Sequence, residues 1–342
     1  MGNVRPRRTT PRSGGTAPLR RGCERVREPL SREDTTMTTI GFVGLGAMGG
    51  RLAGRLVAAG HEVYGTNRTP SKAAELVERG LRWRDTPREV AESAEVVFSM
   101  VTDDGALDSV ATGPDGILAG LAEGEVYVDM STVSPRASRD LARRVRSLGA
   151  RMLDAPVSGS VPAAEEGSLA IMVGGPREAF EAVEPLLRQL GSTVTHIGDN
   201  GHGLLLKLAV NISLGAQTLA FSEGLLLAER GGIDPELAAE VMTGSAIGSP
   251  AMKARAPLML DLPQQAWFDV QLMQKDIGLA LEAGDELGVP LPAAHSTDEA
   301  LAEARKQGYG GRDIAALFQV LERMGNGPDG AVSVNDKAGE HR

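Results

Sequence analysis

Cysteine is almost missing from this chain of 342 residues: Cys23 is the only one. A single thiol forms no internal disulfide and supplies no zinc ribbon, and its place in an irregular opening segment argues against thiol catalysis. Aromatic residues are scarce as well, at 3%, which removes the stacking platforms of a single-stranded nucleic-acid binder, while a net charge of -9 repels phosphate backbones. The five histidines, His61, His196, His202, His295 and His341, show no ligand spacing of the HExxH kind, so no metal site is legible. No apolar run is expected to approach the roughly 20 residues of a membrane span. Neither nucleic acid nor a membrane is therefore expected as a partner, and a cytoplasmic location is the expectation that follows.

With cysteine and histidine set aside, acid–base chemistry falls to lysine, carboxylate or tyrosine. Lysine is itself sparse. Of 36 basic residues only Lys72, Lys207, Lys253, Lys275, Lys306 and Lys337 are lysines, so a lysine inside an apolar run calls for its own explanation. The remaining composition, 42% apolar and 24% charged, is that of a globular chain long enough for two domains.

The first 36 residues hold nine arginines, from Arg5 to Arg32, against Glu24, Glu28, Glu33 and Asp34, with repeated proline and glycine and no apolar periodicity. That composition predicts a disordered Arg-rich extension over residues 1–37. It reads first as a dispensable extension ahead of a natural start at Met37. An organelle presequence is the second reading, weakened by Pro6, Pro11 and Pro18, which spoil the amphipathic helix such a leader needs. A nucleic-acid arm is the third. Residues 326–342 read as another loose tail.

From Thr38 onward short apolar runs alternate with helical patterns. Strands are expected at 40–46, 62–67, 95–100, 125–130, 151–157 and 169–175, with helices at 47–60 and 71–80 among those between them. Such alternation implies an α/β, doubly wound, mostly parallel sheet over 38–199. Past Asp199 the pattern is helical to Met324, broken at 231-GGIDP-235, 248-GSP-250, 261-DLPQQ-265 and 288-GVPLP-292. An all-helical domain for substrate and oligomer contacts is expected over 200–325, joined to the first by one long helix.

The stretch 44-GLGAMG-49 fits G-x-G-x-x-G directly after an apolar strand and at the start of a helix, the context of a Rossmann-type dinucleotide site. Gly44 allows the tight turn, Gly46 lets the backbone approach a pyrophosphate, and Gly49 lets helix and strand pack closely. With Leu45, Ala47 and Met48 these residues should cradle the phosphates at the helix N-terminus. Cofactor choice is expected at the end of the second strand, where Asn67, Arg68, Thr69 and then Lys72 stand instead of the carboxylate common in NAD sites. An arginine fork with small polar neighbours welcomes a 2'-phosphate. NADP(H) is therefore the favoured cofactor, with NAD(H) kept as the alternative. Met100 and Val101, where the 95–100 strand ends, are expected beside the cofactor.

In 204-LLLKLAVN-211, Lys207 and Asn211 stand four apart and share a helix face. Burial there would disfavour the ammonium and draw its pKa toward neutrality, the tuning a general acid–base needs when proton and hydride move together between alcohol and carbonyl. A lysine snorkelling to solvent from the helix edge is the equal alternative on this stretch alone. Further polar clusters end the neighbouring strands: Ser131 and Thr132 in 129-DMSTVSP-135, and Ser158 in 154-DAPVSGS-160, whose hydroxyl and following N–H groups could seat a carboxylate. Lys275 and Asp276 form a second lysine feature on a predicted helix.

Taken in order, 42-FVGLGAMG-49, 129-DMSTVSP-135, 154-DAPVSGS-160, the glycine-spaced approach from Gly198 to Lys207 and Asn211, and 275-KD-276 resemble the β-hydroxyacid dehydrogenases over about residues 39–324. That family includes 3-hydroxyisobutyrate dehydrogenases, tartronate semialdehyde reductases and glyoxylate/succinic semialdehyde reductases. The resemblance implies that Lys207 is the catalytic acid–base, that Ser158, Gly159 and Asn211 bind a small carboxylate substrate, and that Thr132 and Lys275 lie by the cofactor; Asp276 is expected among the substrate-binding residues as well. The Asn67-Arg68-Thr69 ending is shared with the reductase branch. Ser160 stands where the family often has a second glycine, and Thr102 where it has Pro or Ser. A homodimer or homotetramer is expected. The rival readings are an imine reductase on the same fold, which commonly puts Asp or Tyr where Lys207 stands, and a non-catalytic dinucleotide-binding module, against which the intact Lys207, Asn211 and Ser158 count.

Overall fold

The computed structural model describes residues 38–326. The extension expected over residues 1–37 and all but the first residue of the tail expected over 326–342 lie outside them. Strand β1 (Thr39–Val43) leads into α1 (Gly49–Ala58) and β2 (Glu62–Thr66). A 3-10 turn, Pro70–Ala73, opens α2 (Ala74–Glu78), followed by β3 (Arg82–Trp83), α3 (Pro87–Glu92) and β4 (Val96–Ser99). Then come α4 (Asp104–Ala111), α5 (Ile117–Gly120), β5 (Val126–Asp129), α6 (Pro135–Ser147) and β6 (Arg151–Asp154). Strand β7 (Val157–Ser158), α7 (Val161–Glu166), β8 (Ala170–Gly174), α8 (Arg177–Leu190) and β9 (Thr193–Gly198) complete this half.

All nine strands join one sheet in the order β3-β2-β1-β4-β5-β6-β8-β7, with β9 paired to β8 off that path. The first six in that order run parallel, β8 runs against β6 and β7, and β9 runs with β8. Because successive side chains of a strand point to opposite faces, the apolar runs feed two cores at once. Ile40, Phe42, Phe98 and Val128 face α1 and α8 through Leu52, Leu56 and Phe180, whereas Val43, Val97 and Tyr127 face Val90, Leu107 and Leu141 on α3, α4 and α6. Phe42 and Phe98 stack with ring centroids 5.8 Å apart. The doubly wound α/β arrangement is thus as the sequence pattern implies.

Three details differ. The strand expected over 151–157 is two: β6 stops at Asp154 and β7 begins at Val157, with β8 between them in the sheet. Pro156 lacks the N–H that an uninterrupted ladder would use. The helix expected over 71–80 shrinks to a 3-10 turn and one short α-helix. Strands β3 and β9 are not among those the pattern predicts: β3 is only two residues long, and Thr193, Thr195 and His196 dilute the apolar signal of β9 at the sheet margin.

The second half is helical: α9 (His202–Arg230), α10 (Pro235–Gly244), α11 (Pro250–Leu260), α12 (Val270–Leu287), α13 (Pro292–Lys306) and α14 (Leu317–Asn326). Helix α9 has 29 residues, about 43 Å at 1.5 Å each, and packs against β8 as well as every other helix of this half. By length and composition it would pass for a membrane span, which corrects the expectation that no segment comes near one. Its apolar surface meets Met252, Met259 and Phe318 on one side and Met273, Ile277 and Leu317 on another. A helix apolar all round belongs in such surroundings.

The start of α9 lies directly on the sheet. A Cβ added at Gly203 would fall 2.4 Å from the Met172 carbonyl oxygen, 2.8 Å from Asp154 Oδ2 and 2.9 Å from the Gly174 nitrogen. Gly203→Ala must push α9 off β8 and is expected to destabilise the fold by about 1–3 kcal/mol. Urea denaturation measures this, and a midpoint equal to that of the parent chain would refute the close contact.

Candidate active site

A cavity of about 840 Å³ opens where β1, β4, β5 and β7 end, and α9, α11 and α12 close its far side. Ligands of open α/β sheets collect at such carboxyl edges. The glycine loop forms one wall through Gly46, Ala47, Met48 and Gly49. Gly44 has φ +94° and packs so closely that a Cβ would lie 2.3 Å from the Met100 carbonyl oxygen, while a Cβ on Gly49 would lie 2.0 Å from the Gly44 oxygen. At Gly46 nothing stands within 4 Å, which leaves the open backbone a pyrophosphate requires. Helix α1 begins without a side-chain cap and without an acidic residue in its first turn, so its N–H groups and dipole face an anion unopposed. These residues fit a dinucleotide.

Asn67, at the end of β2, braces this loop: its Oδ1 accepts from the Leu45 N–H at 3.1 Å and its Nδ2 donates to the Thr69 carbonyl at 2.9 Å. Arg68, Thr69 and Lys72 are exposed beyond it. Lys72 borders a separate depression of about 540 Å³ along α1 together with Leu45, Gly46, Arg51 and Arg79. Met100, Val101 and Thr102 line the main cavity, as do Ser131 and Thr132. Below them, Ser131 Oγ accepts from the Val101 N–H at 2.9 Å and donates to Asp129 Oδ1 at 2.7 Å, which also accepts from Ser99 Oγ at 2.7 Å. Burial pushes the Asp129 carboxyl up to about 6 against the pull of these hydroxyls.

On the opposite wall, Ser158 and Gly159 line the cavity from β7 and the residue after it; Gly159 has φ +142° and a Cβ there would meet Leu169 Cδ2 at 2.6 Å. Lys207 and Asn211 line it from α9, one turn apart, and Lys275 and Asp276 from α12. Asn211 Nδ2 donates to Asp276 Oδ2 at 2.6 Å, and Lys275 Nζ pairs with Asp276 Oδ1 at 2.7 Å. Lys275 also donates to the Thr132 carbonyl, tying α12 to the end of β5. Lys207 is 8% exposed, so the snorkelling alternative does not describe it. Burial lowers its pKa from 10.5 to about 8; the attraction of Asp276 opposes that and the repulsion of Lys275 adds to it. Burial likewise raises the Asp276 carboxyl, against the pull of Lys275 and Lys207. Asn211 Oδ1 is buried with no hydrogen-bond partner among the described residues, an acceptor held ready beside the amine.

Some contributors escape sequence reasoning. Asp154 accepts from the Gly201 N–H at 2.7 Å and the Leu204 N–H at 3.1 Å, fixing the first turn of α9 to β6. The segments 243–250 and 261–268, which the sequence marks as contributors to the pocket without placing them, put Ser249, Pro250, Trp267 and Phe268 in the far wall. Among the described residues no group of three His, Cys, Asp or Glu side chains could hold a metal ion. The arrangement unites an anion-binding loop, a buried amine poised near neutrality and a small polar seat in one cavity.

Known proteins share this plan. The family described as the NAD binding domain of 6-phosphogluconate dehydrogenase matches residues 39–198, and that described as NAD-binding of NADP-dependent 3-hydroxyisobutyrate dehydrogenase matches residues 201–321. The 2-(hydroxymethyl)glutarate dehydrogenase of Eubacterium barkeri is 36% identical over 286 residues, 83% of this chain and 95% of that protein. The 3-hydroxyisobutyrate dehydrogenase of Pseudomonas aeruginosa is 36% identical over 296 residues, 83% of this chain and 99% of that one. The structure of a Mycobacterium tuberculosis 3-hydroxyisobutyrate dehydrogenase with L-serine superposes with a TM-score of 0.75 at 29% identity, covering 84% of this chain and all of that chain. Two family models that together span nearly all the described residues, and relatives above 30% identity over almost their whole length, establish that the chain belongs to the β-hydroxyacid dehydrogenase family, nicotinamide-dinucleotide-dependent oxidoreductases that act on CH–OH groups.

Proposed function

We propose that this chain is a cytoplasmic, NADP(H)-preferring dehydrogenase or reductase that interconverts a small hydroxyacid and its semialdehyde or keto form, with Lys207 as the acid–base. The buried amine, one turn from Asn211 and across the cavity from the glycine loop, carries this reading. Residues 38–199 hold the cofactor in this account, and residues 200–325 supply Lys207 and the substrate wall. When bound, the nicotinamide accepts or supplies the hydride. The chain's own residues handle the rest. Ser158, Gly159 and Asn211 seat the substrate's carboxylate and hydroxyl, and Asp276 orients Asn211 through the 2.6 Å hydrogen bond between their side chains. Neutral Lys207 takes the hydroxyl proton during oxidation; its ammonium returns one during reduction. Lys275 holds the loop at Thr132, beside the nicotinamide end, in place.

The sign of the pH dependence follows. Oxidation needs the neutral amine, so its rate should climb as pH rises through about 8, and reduction should decline over the same range. Asp276→Asn removes the attraction that holds the amine's pKa up and should move both transitions to lower pH. Lys207→Ala should reduce turnover by about 10²- to 10⁴-fold while NADP(H) still binds. Near-normal turnover in that variant would remove the central assignment.

Arg68 and Lys72 stand exposed past Asn67, two positive charges where a 2'-phosphate would lie, with no carboxylate at the end of β2 itself. Fluorescence titration should give a lower Kd for NADPH than for NADH, with Arg68→Ala narrowing the gap; equal values in the parent chain would overturn the preference. An assembly of two or four copies is also part of the proposal. Leu227 on α9 is 77% exposed, and Leu237 and Val241 on α10 are exposed as well, an apolar surface suited to a second copy. Light scattering should return a multiple of the 35.8 kDa chain mass, and a monomer mass would refute the assembly.

A further inference from the structure

Besides Lys207 and Asn211, the cavity includes space lined by Val210, Leu214, Pro250, Trp267, Phe268 and Leu272. A three-carbon acid seated at Ser158 and Asn211 leaves that space unused. Its polar neighbours are already engaged with one another. Arg255, 7% exposed, gives its charge to the fully buried Asp313 at 2.7 Å. Asp313 Oδ2 is occupied in turn by the N–H groups of Trp267 and Phe268 at 2.9 and 3.1 Å. Gln217 Oε1 accepts from Ser249 Oγ at 2.6 Å, and Ser249 Oγ caps the Met252 N–H at 3.2 Å. Asp269 caps α12 through the Leu272 N–H at 2.7 Å and brings negative charge to the same wall. Lys275 is committed to Asp276 and Thr132.

We infer that this outer chamber selects hydroxyacids with one carboxylate and an uncharged, apolar substituent of several carbons at C2, and disfavours a second carboxylate there. The inference rests on the dehydrogenase reading and adds the substrate class to it. A second carboxylate entering the chamber would lose its water, meet Arg255 only with its charge already balanced by Asp313, and face Asp269. An alkyl group of the same shape would instead bury its surface against Trp267, Phe268 and Leu214, gaining about fourfold in kcat/KM for each methylene sheltered.

Three acids that share one reacting head test this on the full chain with NADP: 2-(hydroxymethyl)propanoate, 2-(hydroxymethyl)glutarate, and 2-(hydroxymethyl)-5-methylhexanoate, whose branched end is the uncharged shape analogue of the glutarate arm. The expected order of kcat/KM places the methylhexanoate first, about tenfold or more above the propanoate and above the glutarate. Trp267→Ala should lower kcat/KM for the methylhexanoate about tenfold more than for the propanoate, with most of the change in KM. Turnover of the glutarate equal to or above the methylhexanoate, or a preference for the propanoate, would overturn the chamber's role and leave the dehydrogenase reading standing. Absence of turnover with all three, with NADPH still bound, would remove that reading and the chamber's assignment with it.

Discussion

The carboxylate of Asp154, at the end of β6, receives the Gly201 and Leu204 N–H groups and so pins the first turn of α9 to the sheet. Everything the site does depends on where that turn lies. Lys207 and Asn211 are one and two turns farther along a helix without proline, so their positions follow from the clamp with little slack. A charged acceptor at a helix N-terminus is favoured by the dipole and by otherwise unsatisfied donors. Gly203 completes the arrangement, because only a residue without a Cβ lets the helix lie this near to β8. Burial of Asp154 raises its pKa even so, and the two N–H donors are what keep the carboxylate form favourable there.

A second constraint is electrostatic. Two lysines and one carboxylate line the same cavity, and the carboxylate cannot satisfy both equally. Asp276 pairs directly with Lys275, which leaves Lys207 with an attraction too weak to offset its desolvation. The fall from 10.5 to about 8 corresponds to about 3 kcal/mol against the ammonium. Burial is the larger influence on Lys207, and the repulsion of Lys275 adds to it while Asp276 opposes both.

Most of the architecture is legible in the sequence. Apolar runs buried on both faces mark the parallel strands, and the Gly and Pro breaks separate the helices of the second half. The glycine loop was legible because its function demands specific backbone freedom, and Lys207 because a rare residue in an apolar run stands out. What escaped has a common cause. Strand β9 has polar residues at a sheet margin, where one face need not be apolar. The clamp at Asp154 links residues 47 apart through backbone N–H groups, which leave no trace in sequence. The wall around Trp267 comes from loops whose position is set by Asp313, a buried residue without any motif of its own. Asn67 was readable as a cofactor residue by position alone, yet its side chain braces Leu45 and Thr69, a role that only geometry reveals.

The anchoring of Trp267 and Phe268 has a consequence for evolvability. Asp313 holds these two residues by their backbone N–H groups, and both side chains line the cavity, with Phe268 also packing against the cluster around Val270 and Met273. Arg255 neutralises the anchor from behind, so the loop keeps its course whatever side chains it presents. Lys207 and Asn211 sit on a different helix with their own clamp. Descendants of this chain can therefore exchange the residue at 267 and drift toward new substrates, while proton handling is inherited intact.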